Sequence, residues 1–120
     1  MASGTFHEPL ELLSGETRDL HRGIISLMEE LEAIDWYQQR ADAAADPQLK
    51  DVFLHNRREE IEHATMLMEW LRRHDGHLDE MMRTYLFTEA PIAGLEKAAV
   101  AGGAPAPAVR TLGIGSMKGK

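Results

Sequence analysis

The chain of 120 residues contains no cysteine. That excludes disulfides and thiolate metal sites and leaves no sign of an oxidising compartment. No apolar run approaches the length of a membrane span, so no spanning helix is expected. Residues 1–9 lack a basic region followed by an apolar one, so no secretory signal is expected and the cytoplasm is the expected compartment. Basic charge is also scarce, and the net charge is −7. Residues 1–97 hold all 20 acidic residues and ten of the 13 basic ones, giving −10, whereas Arg110, Lys118 and Lys120 give the acid-free remainder +3. An acidic body argues against a nucleic-acid partner and suits cations. Plain solubility of a small domain is the other use of such a surface. Hydrophobic residues make up 43% of the chain, enough for one domain with a small core. A core that small makes oligomerisation a natural supplement.

What is present reads as helix. Residues 1–9 are irregular, with Gly4 and Pro9 against regular structure, and residues 8–13 suit a short helical turn. A long helix is expected over residues 16–44, where Leu20, Ile24, Leu27, Leu31 and Ile34 repeat every three or four residues as one stripe. Asp46 is a preferred N-cap and Pro47 fits a first helical position, so a second long helix should run over residues 47–74. The link is short enough to fold the two back as an antiparallel hairpin. Gly76 should end or kink the second helix. A third helix is expected over residues 77–87, with Leu78, Met81, Met82, Tyr85 and Leu86 on its apolar side and Pro91 as a stop. The composition then changes. Residues 98–110 are a linker rich in Ala, Gly and Pro, and residues 111–120 are a short apolar-glycine motif on that tether. In an extended conformation Leu112 and Ile114 would project to one side of the motif, and Gly113 and Gly115 would let a partner approach. Composition alone favours a frayed end.

The second helix carries the chemistry. At steps of four and three it gives Leu49, Phe53, Asn56, Glu60, His63, Leu67, Trp70 and His74. This is a core seam. Glu60 is costly there unless it is paired or bound to a metal. Glu60 and His63 are three apart and point the same way. Inward-facing Glu-x-x-His is a building unit of di-iron sites in helix bundles, although it also serves as an ordinary core hydrogen bond. On the first helix Glu30 falls on the shoulder of the apolar stripe and can face that pair, with Tyr37 two turns further along nearly the same line. One Glu and one Glu-x-x-His amount to half a di-iron site. A two-fold axis would double it and complete a four-helix bundle. Imidazole and carboxylate ligands suit iron, and also manganese or zinc. His55, Glu59 and Glu62 share another face of the helix, suited to a second cation or to plain solvation. Glu29, Glu32 and Trp36 lie away from the stripe, where acids either draw metal toward the site or form ordinary surface. The methionines Met66, Met68, Met81 and Met82 read as helix packing.

Four segments share a pattern: Glu29-Glu30-Leu31-Glu32-Ala33-Ile34-Asp35-Trp36-Tyr37, Asn56-Arg57-Arg58-Glu59-Glu60-Ile61-Glu62-His63-Ala64, Trp70-Leu71-Arg72-Arg73 and Arg83-Thr84-Tyr85-Leu86-Phe87-Thr88-Glu89. Together they resemble the encapsulated ferritins over residues 7–97. Leu112-Gly113-Ile114-Gly115-Ser116-Met117-Lys118-Gly119 resembles the peptide that loads cargo into encapsulin shells, with Met117 in place of a common Leu. The resemblance implies a helical-hairpin protomer in an open ring, typically a decamer, built from two-fold dimers. It implies a ferroxidase centre between two chains, with Glu30, Glu60 and His63 as iron ligands and Tyr37 beside them. Glu29 and Glu32 match acidic positions on the metal access route, and His55, Glu59 and Glu62 match a secondary metal cluster. The expected activity is oxidation of ferrous iron by dioxygen or peroxide, with storage left to an encapsulin compartment in the cytoplasm. A rubrerythrin-like peroxidase is an alternative, disfavoured by the absence of a four-cysteine module. A metal-binding helical oligomer without activity is another.

Overall fold

A computed structural model describes residues 5–95. Three helices carry them: α1 (Gly15–Ala43), α2 (Pro47–His74) and α3 (Gly76–Tyr85), with 3₁₀ turns at Leu10–Leu12 and Ile92–Gly94. Among the described residues there is no strand. The expected all-α class holds. The targeting motif and the linker both lie outside the described residues.

Caps fix the helix starts. Ser14 Oγ accepts from the Thr17 N–H at 3.0 Å and begins α1. Asp46 Oδ2 accepts from the Leu49 N–H at 2.8 Å, so the expected Asp-Pro start of α2 is in place. Each bond satisfies one of the orphan N–H groups at a helix start. Residues 44–46 form the link between α1 and α2. Gly76 neither ends nor kinks α2, which already stops at His74. Asp75 instead caps α3, accepting from the His77 and Leu78 N–H groups at 3.1 and 3.2 Å, and Gly76 is the first residue of that helix.

The fold divides after His74. In the first unit α1 and α2 pack as an antiparallel hairpin. Gly23 faces Trp70 and Leu71, Glu30 faces His63, and Tyr37 faces Phe53, so numbers rise along one helix as they fall along the other. The line of α1 facing α2 runs Leu20, Gly23, Leu27, Glu30, Ile34, Tyr37 and Ala41. Gly23 and Ala41 are buried there and the others half-buried. Glu30 therefore stands within the seam rather than on its shoulder. Ile24 and Leu31, counted in the apolar stripe by size, are 47% and 45% exposed. Small residues set the closest approach of the helices, and a stripe drawn from bulky residues alone misses them. A Cβ on Gly23 would stand 3.1 Å from the Trp70 ring. The buried positions of the hairpin are Gly23, Ala41, Ala64 and Leu71, and no large side chain among the described residues is fully buried.

In the second unit, α3 has Leu78, Met81, Met82 and Tyr85 half-buried, while Leu86 and Phe87 are exposed. Phe87 has φ 60°, the left-handed conformation in which helices commonly end. No described helix is long and apolar enough to cross a membrane.

Candidate metal centre

Glu30 comes from the middle of α1, and Glu60 and His63 from the facing turn of α2. His63 Nδ1 lies 3.1 Å from Glu60 Oε1 and 3.6 Å from Glu30 Oε1. One ligand atom from each of the three falls within 4.8 Å of the others. They are the one group of three or more such residues among those described that converges this closely. The Glu30 and Glu60 side chains are 26% and 23% exposed and that of His63 is 45% exposed, so the cluster is covered on the hairpin side and open on another.

Crowding two carboxylates and an imidazole perturbs all three. Glu30 is held above the ordinary carboxyl range, chiefly by its hydrogen bond to Glu60, with partial burial and the Glu60 charge adding to it. Glu60 moves the other way, lowered chiefly because it accepts from Glu30, and further by His63. His63 is raised above its ordinary value, first by its hydrogen bond to Glu60 and then by the charges of Glu30, Glu60 and Glu59. A cation among them would act in the other sense on the acids, since opposite charge favours each deprotonated carboxylate. The donor set fits iron: hard carboxylate oxygens and one imidazole nitrogen, with Nδ1 as the nitrogen facing both acids. Three donors leave coordination positions open for further ligands.

Tyr37 lies two turns beyond Glu30 on the same seam, half-buried, with its ring 6.1 Å from that of Phe53. The Arg40 guanidinium covers its ring at 5.5 Å and that of Trp36 at 5.8 Å, a contact the spacing of apolar residues does not announce. Glu29, Glu32 and Trp36 are exposed on the flank of α1. His55, Glu59 and Glu62 are exposed on α2 and do not converge on one point within the single chain. Of these, Glu59 is felt electrostatically at His63.

The family model described as EncFtn-like matches residues 5–89, a span that includes all of α1 and α2. An encapsulated ferritin-like protein of Rhodospirillum rubrum is 53% identical over 128 residues, covering 99% of this chain and 91% of that one. A ferritin-like protein of Thermotoga maritima is 49% identical over 92 residues, covering 77% and 81%. The crystal structure of protein ne0167 from Nitrosomonas europaea superposes with a TM-score of 0.71 at 57% identity, covering 73% of this chain and 97% of that one. A family match across both site-bearing helices, with a relative more than half identical along nearly the whole chain, places the protein in the EncFtn-like family, the encapsulated ferritins.

Proposed function

We propose that the protein is a ferroxidase whose di-iron centre forms where two chains meet, and that it supplies iron for storage inside an encapsulin compartment. Iron is the substrate. The observation that carries this reading is the convergence of Glu30, Glu60 and His63 from two helices into half a carboxylate-histidine site. A second copy about a two-fold axis supplies the other half and makes four helices of two hairpins. Within that site Glu60 and its mate would bridge two ferrous ions, His63 would bind through Nδ1, and Glu30 would supply the remaining carboxylate oxygens. Each Fe(II) gives up one electron to dioxygen or peroxide. Tyr37 stands along the seam from the ligands. Glu29, Glu32 and Trp36 would lie on the approach of the cation, and His55, Glu59 and Glu62 would hold a second one.

A helical hairpin of this size encloses no volume for a mineral, so storage falls to the shell. The family and the name of the Rhodospirillum rubrum relative support that association. Residues 111–120 are the proposed address, the linker is their tether, and the assembly is an open ring, typically a decamer. Single alanine variants of Glu30, Glu60 and His63 test the site. Each should lose most of the initial rate of ferrous oxidation while its circular dichroism stays helical. Unchanged rates in all three would refute the assignment. Truncation after Ala108 should leave oxidation intact and abolish co-purification with a co-expressed encapsulin. Packaging of the truncated chain at the level of the full one would place the address elsewhere.

A further inference from the structure

Glu30, Glu60 and His63 give each chain one cation position, and an aromatic pair leads from it to the surface. Tyr37 is half-buried on the seam, about 10 Å beyond Glu30 along α1. Across the seam its ring meets that of Phe53, which has no phenolic proton and is the harder of the two to oxidise. Trp36, the preceding residue, points about 100° away around the helix and is 47% exposed on the flank. Glu32 lies one turn before Trp36 on that flank, and Glu29 one turn earlier again. The Arg40 guanidinium bridges the two rings, 5.5 Å from the centre of Tyr37 and 5.8 Å from that of Trp36. A cation over the faces of two neutral rings holds both in place. It also opposes positive charge on either ring, so a ring that loses an electron must give up its proton as well.

We propose that Tyr37 and Trp36, held by Arg40, form a one-electron relay between the metal cluster and ferrous iron outside it. It rests on the ferroxidase reading above. Electron count supplies the reason. Hydrogen peroxide takes two electrons, and a site holding a single ferrous ion has one to give. Tyr37 supplies the other. Fe(II), hydrogen peroxide and the phenol become Fe(III), hydroxide, water and a neutral phenoxyl radical. The O–O bond breaks, the phenolic proton ends in the water, and no hydroxyl radical is set free beside His63. The phenoxyl then takes an electron and a proton from the Trp36 indole N–H, which restores Tyr37. The Trp36 radical takes an electron from a second ferrous ion arriving past Glu29 and Glu32 and a proton from water, leaving Fe(III) and hydroxide. In sum, two Fe(II) and one peroxide give two Fe(III) and two hydroxides, and both side chains return unchanged.

Freeze-quenched electron paramagnetic resonance on the full-length protein tests the relay. Without oxygen, the protein receives one ferrous ion per two chains, then one hydrogen peroxide per iron. The chain has two tyrosines and two tryptophans, so single variants assign any radical. Wild type should show a transient phenoxyl that is quenched when a second portion of ferrous iron is added. Tyr37→Phe should lose that signal, and Tyr85→Phe should keep it. In Trp36→Phe, which keeps an aromatic ring but cannot pass the electron on, the phenoxyl should outlast that of wild type several-fold. Arg40→Gln should lengthen it as well, and Arg40→Lys, which keeps a cation at the rings, should restore the wild-type lifetime. Absence of any side-chain radical in wild type, a phenoxyl that survives Tyr37→Phe, or equal lifetimes in wild type and Trp36→Phe overturns the relay. Failure of the site reading looks different: His63→Ala would then keep its initial rate of ferrous oxidation.

Discussion

Gly23→Ala measures how tightly the hairpin seam is set. In an exposed helix interior the exchange stabilises by about 1 kcal/mol, since glycine is the poorer helix former by that amount. At Gly23 the new methyl would meet Trp70 Cζ3 at 3.1 Å, Trp70 Cε3 at 3.2 Å and Leu71 Cδ2 at 3.4 Å. The two ring contacts are short of a comfortable carbon separation, so the ring or the helix must give by a few tenths of an ångström. The Trp70 ring is not free to do so, because His74 stacks on it at 4.1 Å and 19°. Overpacking of that kind costs about 1–3 kcal/mol, so the net effect should be a loss of about 1 kcal/mol. For a unit of this size that lowers Tm by about 4–8 °C. Gly15→Ala is the control, since a Cβ there meets nothing within 4 Å. Metal-free thermal melts at one fixed protein concentration compare the two variants with wild type. If Gly23→Ala melts above wild type, the ring yields freely and Gly23 does not set the helix separation. The variant should also slow iron oxidation, because the seam that spaces Gly23 from Trp70 also spaces Glu30 from His63, two turns away.

Protons should compete with metal at the cluster. Glu30 and His63 are both raised, so cation binding must release protons and affinity should climb as pH rises through the His63 range; calorimetry in buffers of different ionisation enthalpy counts them. Without metal the sign reverses for stability. The His63 contribution is fully present below its unfolded value near 6.5 and is lost as pH rises through its higher folded value, so metal-free melts should fall across that window in wild type and stay flatter in His63→Ala. Glu69 is lowered to about 2 by Arg72 and then Arg73. Its contribution should be present above pH 4.5 and vanish as pH falls toward about 2; because the side chain is 42% exposed, the loss in acid titrations should stay below about 1 kcal/mol, and Glu69→Gln should remove it. Asp46→Ala should cost about 1 kcal/mol in urea denaturation through loss of the bond from the Leu49 N–H.

The elements were legible because their punctuation is local. Residues 47–74 are bounded by Asp46-Pro47 and by the capping Asp75, and the helix found there is Pro47–His74. The Glu60-x-x-His63 pair was legible for the same reason, since three residues on a helix fix a shared direction. Glu30 was read as facing that pair from the shoulder of the stripe, and it does face the pair, from within the seam. Apolar bulk drew the stripe through Ile24 and Leu31, whereas the hairpin closes on Gly23, Ala41 and Ala64, and side chains with almost no surface give periodicity little to count. Arg40 over Tyr37 and Trp36 was illegible because a long side chain reaches its partner through rotamers, not spacing. Ile24, Met28, Leu31, Val52 and Met66 stay about half exposed, so apolar bulk marks the helices without marking which of their faces are covered.

A hairpin whose fully buried positions are one glycine, two alanines and one leucine has a small core with which to resist unfolding. If chains pair as proposed, a chain at low abundance would be open to proteases for as long as it stayed single, and each copy it met would lengthen its life. Supply of the protein should respond to synthesis more steeply than in proportion, with sparse chains cleared and abundant ones retained. Iron would act on the same balance, since a cation shared by two chains protects both from turnover before it is ever oxidised.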